Sequence, residues 1–115
     1  MKIGQLSKRT GLSKDTIRYY ERLGLLPVQA RDPSSGYKEY TLKTCERLHR
    51  IRYAKRLGFS LREIRDVLEG WMQGRLSQRQ KSEMLRAKIS VISKQRDLLQ
   101  EMEQALAAQL AQCEA

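Results

Sequence analysis

A disulfide or zinc scaffold is the first thing that this 115-residue sequence lacks the means to build, for it holds only two cysteines, Cys45 and Cys113, and one histidine, His49. Two thiols so far apart in sequence make no disulfide framework, and both are expected to be reduced. With one imidazole they fall short of an ordinary zinc site within one chain. No stretch approaches the roughly 18 consecutive apolar residues of a membrane span. Met1 is followed at once by a polar, patterned segment and not by the apolar run of a secretory signal, so the expectation is a cytoplasmic protein without a membrane partner. Paired carboxylates, a nucleophile with its base and a phosphate-binding loop are all missing, which leaves an enzyme reading without support. Acid is scarce as well: 13 Asp plus Glu stand against 23 Lys plus Arg, a formal net charge of +10. A chain of this length is one domain's worth, with a core that is small or shared with a second copy.

The excess charge is unevenly placed. Residues 1–69 hold 16 Lys plus Arg and 8 Asp plus Glu, whereas residues 70–115 hold 7 and 5. A basic surface in the first part suits a polyanion, and the residue pattern narrows which one. Ile3 and Leu6 in a short run ended by Gly11 predict a first helix. Ser13 stands where an N-cap belongs, and Ile17, Tyr20 and Leu23 follow at spacings of three, so a second helix begins after a short turn. Two short helices so joined form a helix-turn-helix. On a wheel of ~100° per residue, Ile17, Tyr20 and Leu23 share one side while Lys14, Arg18 and Arg22 share the other. Pro33, Ser34, Ser35 and Gly36, followed by Tyr37 and Tyr40, read as the loop of a hairpin with short extended flanks, a wing.

A third helix is expected over Thr41 to Leu57, packing through Leu48 and Ile51 and ending at Gly58. Ser60 to Glu63 has the form of a capping box, and Leu61, Ile64, Val67 and Leu68 supply the apolar face of a fourth helix. Gly70 and Gly74 mark a break. The expected organisation is therefore a winged helix-turn-helix domain over residues 1–69, a hinge at 70–76 and a long helix over 77–115. A second capping box at Ser77 to Gln80 opens a stretch without Gly or Pro. If helical to Gln112, it is ~54 Å long at 1.5 Å per residue. Leu85, Ile92, Leu99 and Leu106 recur every seven residues, as do Met84, Val91, Leu98 and Ala105, the pattern of a coiled-coil seam. The other reading is a helix folded back on its own domain.

Lys2-Ile3-Gly4-Gln5-Leu6, Asp15-Thr16-Ile17-Arg18-Tyr19-Tyr20-Glu21, Gly24-Leu25-Leu26, Gly36-Tyr37-Lys38-Glu39-Tyr40 and Leu57-Gly58-Phe59-Ser60-Leu61, in this order and at these separations, resemble the MerR-type transcriptional regulators. The resemblance covers roughly the first 70 residues. It implies a mainly α fold, a winged helix-turn-helix followed by a dimerisation helix, and a homodimer joined by an antiparallel coiled coil. It implies binding to double-stranded promoter DNA with a long spacer, which family members untwist and bend for RNA polymerase, often in response to an effector. An architectural or recombination-accessory DNA protein with the same fold and no effector is the alternative function.

At the level of residues, Lys14 and Arg18 lie on the exposed stripe of the second helix, where they can meet base edges or phosphates. Thr16, Tyr19 and Tyr20 resemble residues that touch the DNA backbone or brace those that do. For Tyr20, on the apolar face, a core role stands beside the contact role. Arg31, Tyr37, Lys38 and Tyr40 resemble wing residues that grip phosphates, and Arg56 resembles a phosphate contact from the third helix. Lys38 stands where many members have Arg and offers a point charge without a fork. Some metal-sensing members carry a thiol where Cys113 stands, and with Ser77 at the start of the helix the layout resembles sensors of soft, singly charged ions such as copper(I). Cys113 is accordingly the candidate effector and metal position, although the second thiol of those members is absent. A cofactor is otherwise unassigned, and padding of the last heptad is the alternative role for Cys113. Cys45 is expected to be structural and His49 to be a surface group. Trp71 and Met72 either pack the hinge or line an effector cleft.

Overall fold

Gly11 decides how the first two helices meet. The computed structural model describes residues 1–27 and 29–115, and in it α1 (Ile3–Thr10) ends at Gly11 in the left-handed conformation, φ 73°, with the Gly11 amide donating to the Ser7 carbonyl. Ser13 then caps α2 (Lys14–Arg22), its hydroxyl accepting from the Thr16 amide at 3.1 Å. The turn is held from outside by α3 (Leu42–Arg56), whose Arg52 guanidinium donates to the Thr10 carbonyl. Thr41 caps α3, and Ser60 caps α4 (Leu61–Met72) through the full reciprocal box with Glu63.

These four helices bury one cluster. Leu6, Ile17, Leu48, Ile51, Ile64 and Leu68 sit at its centre, with Leu25 and Leu26 filling the gap left after α2. A cluster so small needs help from polar ties, and arginine supplies them. Arg47 donates from Nε to the Leu25 carbonyl at 2.7 Å and pairs with Glu69, Arg50 reaches the Trp71 carbonyl at 3.0 Å, and Arg65 reaches the Leu23 carbonyl at 3.2 Å. Each satisfies a backbone acceptor near a chain reversal or helix end, where intrahelical donors run out. Among the described residues no buried side-chain polar atom lacks a partner.

The segment between α2 and α3 carries the expected hairpin in a minimal form. Among the described residues its one bridge is antiparallel and isolated, between Arg31 and Lys38, flanked by amide bonds from Glu39 to Ala30 and from Asp32 to Tyr37. Asp32 shapes the loop: one carboxylate oxygen accepts from both the amide and the hydroxyl of Ser34, at 2.9 and 2.7 Å. α4 runs through Gly70 to Met72, past the break read from that glycine, and the compact unit extends over Met1–Leu76.

The second unit, Ser77–Ala115, is a single helix, α5 (Gln78–Glu114), opened by the predicted Ser77–Gln80 box. None of its residues is buried, and Leu85, Ile92, Leu99 and Leu106 are all exposed.

Gly11→Ala should cost about 1 to 3 kcal/mol, because a side chain is strained at that φ and a Cβ there would stand 2.4 Å from Arg52 Nη1, forcing the guanidinium off Thr10. Gly24→Ala is the control, with a similar φ of 77° and nothing within 4 Å of the added carbon. Denaturant unfolding should show the larger loss for Gly11→Ala, and equal losses would remove Arg52 from the account.

Candidate functional site

Helix α2 lies across from the wing with an open cleft between them. Its walls are Lys14, Arg18, Glu21 and Arg22 from α2, Arg31, Tyr37, Lys38 and Tyr40 from the wing, and Lys2, Ile3 and Gly4 from the start of the chain. Six of these residues are cationic and one is a carboxylate. The helical period explains the α2 contribution: with Ile17 and Tyr20 turned into the core, Lys14, Arg18 and Arg22, four apart, must face outward. Arg18 has an exposed ion pair with Asp15 at 3.6 Å, a contact of little energetic weight in water.

The wing is held to α2 and to the chain start by opposite charges. Lys2 Nζ bonds Asp32 at 3.3 Å and Ser35 at 3.1 Å and pairs with Glu39. The Glu39 carboxylate, accepting from this ammonium, raises the Lys2 pKa above its ordinary value. The hydrogen bonds from Ser34, reinforced by Lys2, lower the Asp32 carboxyl to about 2. Arg31 donates to the Gly36 carbonyl at 2.8 Å. On the α2 side, Glu21 accepts from Lys38 Nζ at 2.8 Å and from the Tyr40 hydroxyl at 2.6 Å. Burial first, and then the Glu21 carboxylate, push the Tyr40 phenol well above its ordinary pKa.

Of the residues read from the sequence as DNA contacts, Lys14, Arg18, Arg31, Tyr37, Lys38 and Tyr40 meet at this cleft. Thr16 sits beside them in the first turn of α2, its hydroxyl accepting from Ser13. Tyr20 is 8% exposed and takes the core role of the two read for it. Tyr40 is buried at its ring and enters the cleft wall beside Glu21. Tyr19 is exposed on the other flank of α2, over Leu23, Leu25, Leu61, Arg62 and Arg65, with the Arg22 guanidinium 5.8 Å from its ring. Arg56 lies in the last turn of α3, outside the cleft lining. Lys2, Glu21 and Arg22 also line the cleft and were not among the residues singled out from the sequence as contacts. Arg22 was legible as the third member of the i, i+4 stripe, whereas Lys2 and Glu21 needed the wing in place.

The remaining candidates lie elsewhere. Cys113 is exposed in the last turn of α5, and Cys45 is buried in the core. Trp71 packs against the core under the Arg50 guanidinium, 5.1 Å from its ring centre, and borders a shallow groove with Leu42, Cys45, His49 and Tyr53. Among the described residues no group of three or more His, Cys, Asp or Glu is placed to hold a metal ion, and no helix is long and apolar enough to cross a membrane.

Residues 1–71 match the family described as MerR HTH family regulatory protein, and residues 45–109 match MerR, DNA binding. The chain is 48% identical over 67 residues to the mercuric resistance operon regulatory protein of Bacillus cereus, covering 58% of this chain and 50% of that protein. It therefore spans half the length of that relative. It is 36% identical over 106 residues to a probable heavy metal-dependent transcriptional regulator of Haemophilus influenzae, covering 92% of this chain and 82% of the other. Among solved structures it resembles the transcription regulator PbrR691 from Ralstonia metallidurans in complex with lead(II), at a TM-score of 0.81 and 29% identity over 92% of this chain and 82% of that one.

The raised phenol of Tyr40 fixes a pH dependence. The neutral hydroxyl is favoured in the fold, so its contribution is complete below pH 10.0, the ordinary value, and is lost as pH rises from there toward the folded pKa. Stability measured by denaturant unfolding should fall above pH 10, and Tyr40→Phe should flatten that fall. An identical alkaline limb in both proteins would contradict the assignment.

Proposed function

Because this chain belongs to the MerR family of helix-turn-helix regulatory proteins, we propose that it is a sequence-specific transcriptional regulator that binds double-stranded promoter DNA as a homodimer. The observation that carries the proposal is the cleft in which six cations from the chain start, α2 and the wing surround a single carboxylate. An outward α2 stripe of Lys14, Arg18 and Arg22 suits major-groove entry, with Arg18 as the base reader. Arg31 and Tyr37 suit the adjoining backbone, as do Thr16 and Tyr19 beside α2 and Arg56 at the end of α3.

The second copy is argued from α5. A 37-residue helix with no buried residue, carrying two apolar stripes at a seven-residue period, needs a partner of the same pattern. Antiparallel pairing of two α5 helices would hold two clefts at a fixed distance, and a two-fold dimer imposes its symmetry on the operator. Such a dimer can bend and untwist the promoter spacer presented to RNA polymerase. Names among the relatives refer to mercury, heavy metal and lead. For this chain the effector position proposed is Cys113, as a soft-metal or thiol-reactive site completed by groups from outside the single chain.

Arg18→Ala should weaken binding to a duplex selected by the wild-type protein by about 1 to 3 kcal/mol and relax its sequence preference. Unchanged affinity across a salt series would reject α2 as the recognition helix. Leu99→Asp should dissociate the dimer, because it sets a charge in a seam where each buried Leu contributes about 1.5 to 3 kcal/mol. Light scattering that finds the wild type monomeric at micromolar concentration would end the homodimer reading.

A further inference from the structure

Lys38 and Glu21 sit at the cleft differently from its other charges. Both oxygens of Glu21 are engaged, one by Lys38 Nζ at 2.8 Å and the other by the Tyr40 hydroxyl at 2.6 Å. The Glu21 side chain is 11% exposed and that of Lys38 35%, against 54% for Arg18. For Lys38 to reach a DNA phosphate it would have to leave Glu21. A largely buried carboxylate would then face a polyanion with one hydroxyl as its partner, and breaking such a pair costs more than an exposed phosphate contact returns. Kept together, the pair is neutral and has no condensed counterion to displace from DNA. Its members come from α2 and from the wing, so the same contact that silences Lys38 sets the angle between the two elements that border the cleft.

We propose that Glu21 is a positioning residue that locks the wing onto α2 by neutralising Lys38 and accepting from Tyr40, so that Lys38 is a strut and not a phosphate contact. The inference rests on the reading of the cleft as a DNA interface, and it departs from the phosphate role that the family resemblance implies for Lys38. Wing and helix then meet the duplex as one rigid body, and discrimination between operators depends on a carboxylate that touches no nucleotide.

The test is the salt dependence of binding by the full chain to a duplex selected by the wild-type protein from a random-sequence pool, since each phosphate contact contributes about 0.9 to the slope of log K against log salt concentration. Lys14→Gln is the reference and should make the slope shallower by about that amount. Lys38→Gln should leave the slope unchanged. Glu21→Gln keeps an oxygen for Tyr40, releases Lys38 to the phosphates and should steepen the slope by about 0.9. Adding Lys38→Gln to it should return the wild-type slope. With the reference behaving as stated, a slope that becomes shallower in Lys38→Gln, or one that stays unchanged in a folded Glu21→Gln, overturns the inference alone. If Glu21→Gln fails to fold by circular dichroism, the Lys38→Gln slope decides. A wild type with no salt-dependent duplex binding overturns the interface reading, and this inference with it.

Discussion

Like charges crowd one side of this domain, and the contact between Glu21, Lys38 and Tyr40 is what lets the wing stand beside α2 despite them. Two unit charges ~4 Å apart repel by ~1 kcal/mol in water and by more near a protein surface. Six cations around one cleft would therefore push the wing outward if nothing opposed them. The acids that oppose them are placed at the margins: Asp32 and Glu39 bind Lys2 at the base of the wing, and Glu21 binds Lys38 at its junction with the helix. The arrangement neutralises the cations that hold the wing and leaves Lys14, Arg18 and Arg22 along the outward stripe of α2.

Arginine does two kinds of work in the first unit. Arg47, Arg50, Arg52 and Arg65 each donate to a backbone carbonyl distant in sequence, at Leu25, Trp71, Thr10 and Leu23. Planar guanidinium groups suit this task because they satisfy an acceptor while their stems pack against apolar neighbours. A high Arg content in this chain is thus not a measure of how many residues meet a polyanion. The small core explains why the anchors are needed: the fully buried large side chains are few, and the carbonyls at chain reversals would otherwise lie half-buried without donors.

The long helix presents the opposite case, all local order and no tertiary burial. Its start is defined by the Ser77–Gln80 box and its length by the absence of Gly and Pro. An apolar seam repeated every seven residues gains its stability from a matching surface, and the seam of α5 is complete along most of its length.

Much of this organisation was determined by the sequence alone. Caps at Ser13, Ser60 and Ser77, the left-handed stop at Gly11, and the apolar positions of α1, α2 and α4 are local signals, written in neighbours three or four residues apart. The cationic stripe of α2 is local for the same reason, and so is the Tyr20 ambiguity, since a residue on the apolar face can still border a contact surface. Only the tertiary structure decided the rest. Gly70 stays helical because tertiary packing overrides a propensity cost of ~1 kcal/mol. The described part of the wing is a single bridge with flanking amide bonds, and its position is set by side chains from elsewhere in the chain, Lys2 on Asp32 and Glu21 on Lys38 and Tyr40. Lys38 looked like any wing cation until Glu21, 17 residues earlier, was seen beside it, and the carbonyl partners of Arg47, Arg50 and Arg52 likewise come from distant segments that only the fold brings near. Periodicity records which face a residue takes, whereas a charge's partner depends on which elements come together.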